Sequence, residues 1–287
     1  MKEKVIIIGG AERTGTTLAQ TIVSNAFGKS PLLPEAHVLC DVIAAYKRAK
    51  VTWNKTMLFF ETMDDLKVFF SRTIQNFLKC IHSRYDTDLF VLKDPNFSKF
   101  FTEITELIPE SLQILCVRDP RDIVASYMKI GERDKENNIR SRYSVRDVDY
   151  ICGKINQFYK NFFTDGFPST LPIVKYEEIV VNPDSVLQML SKTFGLKFKM
   201  PNYSEMTWLN EHSRHKKTWI TELEGHPPTI KSIGDYKKKL SLSEIYKIER
   251  DCEHVMKFFG YKSDNSINKN LMFIRKFFEP FFHEGKR

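Results

Sequence analysis

The sequence lacks the pieces that several common chemistries require. Its five cysteines, at positions 40, 80, 116, 152 and 252, form no C-x-x-C pair, and none clusters with histidine at zinc-ligand spacing. An odd, scattered count offers no disulfide framework and suits a reducing compartment. No stretch reaches the roughly 18 apolar residues of a membrane helix. The opening Met1-Lys2-Glu3-Lys4 leads into a short apolar run, not into a signal-peptide core. There is no internal repeat and no low-complexity linker. The expectation is a soluble, cytoplasmic protein with no metal ligands and no membrane association.

What is present is an ordinary globular composition with a basic bias. The 287 residues are 42% hydrophobic and 28% charged, enough to bury a substantial core. The formal net charge of +8 favours anionic partners such as nucleotides or sulfated and phosphorylated substrates. A lysine-rich surface that serves only solubility accounts for the same number. Cys116 lies within Ile114-Leu115-Cys116-Val117 and reads as a buried core thiol.

Short apolar runs alternate with helical periodicity. Strands are expected at 4–8, 89–92, 112–117 and 172–174, and helices at 15–27, 38–50, 63–84, from 122, and at 147–163 and 183–194. This alternation predicts an α/β fold with a central parallel sheet flanked by helices, whose ligands bind beyond the carboxyl ends of the strands. Two stretches read as irregular excursions: the charged segment 131–146, and 197–231 with Pro201, Pro227 and Pro228.

The motifs begin at strand ends. "GGAERTGTTL", from Gly9 to Leu18, follows the first strand and opens a helix. It matches a phosphate-binding loop except that Thr16 stands where the lysine belongs, with Arg13 three residues earlier. Gly15 permits a tight turn, the N–H groups of residues 13–17 converge on one anion, and Thr16 and Thr17 add hydroxyls. Without the lysine, a nucleoside triphosphate fits poorly. A single 5′-phosphate bearing another group fits better. In "VRDPRDIVASYMK", Arg118 at a strand end and Ser126 eight residues later suit a phosphate monoester. In "VKYEEIVVNP", Tyr176 follows a strand, placed to stack on or bond a base, or to be half-buried with a wet hydroxyl.

These segments, in this order, resemble the sulfotransferases that use 3′-phosphoadenosine 5′-phosphosulfate (PAPS). The family's R-[ST]-G-T-T loop matches Arg13, Thr14, Gly15, Thr16 and Thr17. Its arginine and serine eight apart match Arg118 and Ser126, and its Y-E-x-[LIV]-x-x-x-P segment matches Tyr176 to Pro183. By that resemblance the loop binds the 5′-phosphosulfate, Arg118 and Ser126 bind the 3′-phosphate, and Tyr176 meets adenine. Lys231, Ser232 and Gly234 belong to a loop closing over the nucleotide. "SIGDYKKKLSLSEIYKIERDCEHVMKFFGY" is similar to the family's ending, so the resemblance covers residues 4–262. It implies a P-loop NTPase-like three-layer sandwich as one domain over 1–262. An aromatic and basic tail over 263–287 is expected to be helical and packed on that domain.

The tyrosylprotein branch of the family places a glutamate base downstream of the loop arginine and a lysine in a K-D-P segment. Glu35 and Lys93 match, which makes Glu35 the candidate base, with Arg13 and Lys93 stabilising charge. His37 is the rival base, since imidazole is the commoner proton acceptor. Other branches put a histidine where this chain reads Asp94-Pro95-Asn96. The resemblance implies PAPS as donor, no metal, and a hydroxyl-bearing acceptor, with no nucleic acid as partner. It leaves the oligomeric state open. Trp53, Phe59, Phe60, Trp208 and Trp219 are candidates for lining an acceptor pocket or for the core. A P-loop kinase and a non-catalytic polyanion-binding module are the alternatives.

Overall fold

Strand β1 (Lys4–Gly10) buries alternate side chains in two different cores: Val5 and Ile7 in one, Ile6 and Ile8 in the other. Burial on both faces is what a parallel sheet demands, and it explains an unbroken apolar run in place of alternation. In the computed structural model, which describes residues 4–26, 30–85, 87, 89–163, 170–202 and 229–264, β1 is central. It pairs in parallel with β2 (Leu89–Lys93) and with β3 (Leu112–Val117), and β3 pairs in parallel with β4 (Ile173–Lys175). The order is β2-β1-β3-β4.

Helices cover both faces. On one side lie α1 (Thr16–Ala26), α8 (Tyr176–Val181) and α9 (Pro183–Phe194), packed on Ile6, Ile8, Val91, Ile114, Cys116 and Val174. The larger opposite core is built from α2 (His37–Val51), the single turn α3 (Trp53–Thr56), α4 (Met63–Tyr85), α5 (Phe101–Leu107), α6 (Pro120–Glu136) and α7 (Val148–Tyr159). The closing helices α10 (Tyr236–Lys239), α11 (Leu242–Asp251) and α12 (Glu253–Phe259) complete that side. Two cores on one sheet make the expected three-layer α/β sandwich. All five cysteines are free thiols, and burial raises the Cys116 thiol to about 12.

Local chemistry sets the boundaries. Asp119 caps α6 by accepting from the Arg121 amide, with Pro120 at the first helical position. Gly195, in the left-handed region, ends α9. The segment 131–146 differs from expectation. Helix α6 runs on to Glu136, because Glu132, Lys135 and Glu136 lie on an exposed face while Ile130, Gly131 and Asp134 stay buried. The chain then folds back on the helix at Gly131, where a Cβ would sit 1.9 Å from the Tyr143 carbonyl oxygen. Helix α7 ends at Tyr159 and continues as a 3₁₀ turn, Lys160–Phe163. Of the excursion 197–231, residues 203–228, with Trp208 and Trp219, lie outside the described residues, as does the tail from 265 onward. Phe60 and Trp53 pack on the core, whereas Phe59 is exposed.

Candidate active site

The motifs converge because they follow adjacent parallel strands. The loop after β1 is braced from beneath: the Tyr159 hydroxyl accepts from the Ala11 amide and donates to the Cys116 carbonyl. Thr14 closes the turn through its hydroxyl, which donates to the Ala11 carbonyl at 2.7 Å. Arg13 adopts φ 74°, an uncommon conformation for a side-chain-bearing residue, and Gly15 adopts φ 81°. A Cβ on Gly15 would lie 2.5 Å from Cδ2 of Tyr176, so the loop needs glycine twice over, for its backbone angle and for the tyrosine ring against it. Thr16 is buried and Thr17 half-buried at the start of α1. Gln20, one turn further, donates to the carbonyls of Leu33 and Val91, tying α1 to β2 and to the segment that carries Glu35.

At the end of β3, the buried Arg118 donates to the carbonyl oxygens of Arg13 at 3.2 Å and of Ser232 at 2.6 Å. Its guanidinium lies 4.3 Å from the Tyr176 ring centroid, a close cation–π contact. Its Nε is buried without a hydrogen-bond partner. Ser126 accepts from Nε of Arg13 at 3.1 Å. Tyr176 follows β4 directly, as expected, and starts α8. Its ring is buried, and its hydroxyl lies 2.6 Å from Oγ of Ser232. Gly234 and Tyr236 donate their amides to the carboxylate of Asp122, which anchors the 230–236 segment beside Arg118. Burial raises the Asp122 pKa despite Arg118 and those two amides. Lys231 is exposed on that segment, and its amide donates to Thr229 Oγ1.

At the end of β2 the side chains form a chain of contacts. Lys93, buried, donates to Oε1 of Glu35 at 2.7 Å. Oε2 of Glu35 lies 3.2 Å from Nε2 of His37, and Nδ1 of His37 lies 2.6 Å from Oδ2 of the fully buried Asp94. The Ala36 amide donates to the Lys93 carbonyl, which fixes the Glu35 segment against the strand end. Asp94 also caps the 3₁₀ turn Pro95–Lys99 by accepting from the Asn96 amide. Glu35 is partly open and His37 mostly open to solvent, so an acceptor can reach them.

A sulfotransferase family model matches residues 5–200, more than half of the chain. The chain belongs to the sulfotransferase family. Among solved structures, this sulfotransferase is similar to the sulfotransferase domain from the curacin biosynthetic pathway, with a TM-score of 0.52 at 17% identity over 92% of this chain and 99% of that one. It is also similar to sulfotransferase STF9 from Mycobacterium avium, with a TM-score of 0.52 at 13% identity over 91% of this chain and 78% of the other. At such identities the likeness is one of fold. Comparison with curated protein sequences finds no match.

In this sulfotransferase the structure joins what the sequence left as separate motifs. Arg13 and Ser126 touch, as do Arg118, Tyr176 and Ser232. Glu35, His37 and Lys93 form one array. Four participants had no role assigned by the motifs: Tyr159 beneath the loop, Asp122 behind Gly234, Asn96, and Glu12. Glu12 precedes Arg13 and accepts from the Tyr127 hydroxyl at 2.6 Å and from Lys154 at 3.0 Å. Burial works to raise the Glu12 pKa, but these donors and Arg142 hold it below the ordinary carboxylate value. Asp94 and Asn96 stood in the quoted K-D-P-N segment, so their spacing was readable; their partners were not. Among the described residues no helix is long and apolar enough to cross a membrane, and no cluster of three or more metal-ligating side chains occurs.

Proposed function

We propose that the protein moves a sulfuryl group from PAPS to a hydroxyl of a small-molecule, saccharide or peptide acceptor, by in-line transfer with a carboxylate base. The observation that carries this reading is the Lys93–Glu35–His37–Asp94 array, set on the strand next to the phosphate-binding loop. The residues fit the donor. Gly15 lets the Tyr176 ring pack directly against the loop, and the buried Arg118 has an Nε without a partner among the described residues, beside the loop. Residues 13–17 would hold the 5′-phosphosulfate, Arg118 with Ser126 the 3′-phosphate, and Tyr176, Lys231, Ser232 and Gly234 the adenosine end.

The donor supplies an activated sulfuryl group. The new S–O bond forms to the acceptor oxygen as the bond to the 5′-phosphate oxygen breaks and its electron pair stays on phosphate. Glu35 takes the acceptor proton. Each Glu35 oxygen has two lone pairs and spends one on Lys93 or His37, which leaves capacity toward solvent. His37 is less free, since each of its ring nitrogens already faces a carboxylate oxygen. We therefore assign His37 to orienting Glu35, and Lys93 to orienting it and stabilising charge. Arg13 offsets the charge that gathers on the leaving side. The Glu–Lys pairing parallels the tyrosylprotein branch in its residues.

The test is ligand-induced stabilisation. The adenosine 3′,5′-bisphosphate product should raise Tm without Mg²⁺ and more strongly than ATP at equal concentration, because a ligand that binds only the native state stabilises it. Equal stabilisation by ATP, or strict dependence on Mg²⁺, would favour the kinase reading.

A further inference from the structure

One side of the candidate site carries more positive charge than it neutralises. Lys99 ends the 3₁₀ turn that Asp94 caps, and it is only partly exposed. Its ammonium lies 4.1 Å from the centroid of the buried Phe158 ring and donates to Oδ1 of Asn96 at 2.8 Å. Asn96 in turn donates its side-chain amide to Asp94, the carboxylate that holds His37. Among the described residues no carboxylate lies within ion-pair distance of Lys99. A neutral amide and an aromatic face are poor compensation for a half-buried ammonium.

Its neighbour is Lys154 on α7, the helix that packs against the same 3₁₀ turn. Lys154 reaches Glu12 at 3.0 Å, but Glu12 is shared: Arg142 bonds it at 3.2 Å and the Tyr127 hydroxyl at 2.6 Å. Thus Lys99, Lys154 and Arg142 face Glu12, with the buried Asp94 as the further carboxylate acting on Lys99, which leaves positive charge in excess beside the loop and the Glu35 array. Burial, then repulsion from Lys154, lowers the Lys99 pKa, and burial lowers that of Lys154. Nearby lysines contrast with these: Lys47 pairs with Glu103 and Lys50 with Glu106. The surplus is local to the wall between the residue after β2 and the residue before Arg13.

We propose that Lys99 and Lys154 form an anion subsite for the acceptor, so that the molecule sulfated here carries an oxyanion substituent, a carboxylate or sulfate ester, near its reacting hydroxyl. This rests on the sulfotransferase reading of the adjoining array. An incoming oxyanion would take the place of water on Lys99 and share Lys154 with Glu12. A neutral alcohol would leave the half-buried charge of Lys99 uncompensated, which gives selectivity against it.

The experiment titrates inorganic sulfate into the full chain saturated with the adenosine 3′,5′-bisphosphate, so that the loop is filled, and follows heat and Tm. Wild type should show saturable binding of sulfate. Lys99→Gln and Lys154→Gln should each weaken it about tenfold or more, as expected for loss of one charged hydrogen bond. Lys99→Arg should retain it, and Lys50→Gln, whose ammonium pairs with Glu106, should leave it unchanged. Bisphosphate affinity, measured separately, should be the same in all variants. Absence of sulfate binding to wild type, or equal binding to Lys99→Gln and Lys50→Gln, overturns the subsite. Failure of the bisphosphate to bind wild type overturns the nucleotide reading instead; the Lys99→Gln comparison, run then without nucleotide, still decides on the subsite.

Discussion

Glu35 shares its two oxygens between a buried ammonium and an imidazole, so its replacement must respect both. Glu35→Gln keeps an oxygen for Lys93 while removing the base, and avoids leaving Lys93 buried and unpaired. Its kcat should fall by about 10²–10⁴ with bisphosphate affinity nearly intact, the pattern of a lost general base. His37→Ala should lower kcat by less, since it only loosens one side of Glu35. A larger loss in His37→Ala than in Glu35→Gln, measured under saturating donor and acceptor, would exchange the two roles. Arg118 invites a different measurement. Arg118→Ala should weaken bisphosphate binding by ~1.5–3 kcal/mol, the typical contribution of a hydrogen bond to a charged group. Because Arg118 also bonds the Ser232 carbonyl and stacks on Tyr176, the variant should also lose Tm in the absence of ligand. Calorimetric titration gives the affinity, and a melt without ligand gives the second effect. Affinity equal to wild type would remove Arg118 from the nucleotide site.

At the scale of elements, the joints between strand and helix hold the predictions. Gly15→Ala would place a methyl group 2.5 Å from the Tyr176 ring and keep φ at +81°. The strain alone costs of order 1–3 kcal/mol, so Tm should fall and bisphosphate binding should drop with it. A Gly15→Ala protein with wild-type Tm and affinity would mean that the loop and α8 are not packed as described. The start of α11 offers a pH test. Glu244 completes a capping box with Ser241 and pairs with Arg146 at 2.8 Å. The hydrogen bond from Arg146 is the main cause that lowers the Glu244 pKa from 4.5 to about 2. A depressed carboxylate contributes stability that is full above its unfolded value and vanishes as pH falls through its folded value. The Tm difference between wild type and Glu244→Gln should therefore be constant above about pH 5 and shrink between about 4.5 and 2. The site is largely exposed, so the effect should be small and weaken with salt. A difference that grows on acidification would contradict the pairing.

For the whole molecule, the layer architecture was readable because period and composition act locally. Val5-Ile6-Ile7-Ile8 needs two cores wherever it sits, and glycine with a capping hydroxyl opens a helix in any context. Arg13, Lys93, Arg118 and Tyr176 were equally plain, since each lies at or just after a strand end. What the sequence did not reveal are couplings between distant segments. Glu12 meets Lys154, Asp122 meets Gly234, and Tyr159 supports Ala11, in each case across a hundred residues or more. Spacing carries no record of such pairs, because they follow from how helices pack on the sheet. The continuation of α6 past Gly131 was hidden for the opposite reason: its outer face is so charged that the apolar stripe is thin. That α2 begins at His37 and presents it to Asp94 likewise depends on where Asp94 follows β2, 57 residues away.

The central position of β1 has a temporal consequence. Lys4 pairs with Leu89, and Ile6 with Leu112, so the first strand made is the one that waits for partners on both edges. Until residue 93 has emerged during synthesis, the most apolar stretch of the chain has two open edges, and until residue 117 it still has one and no complete core to enter. Sheets closed by such distant pairings form slowly, on the scale of milliseconds to seconds for small domains and longer for larger ones. Nascent chains ending before β3 should hence be the ones that engage chaperones or aggregate, and chains that include β3 should be released from both.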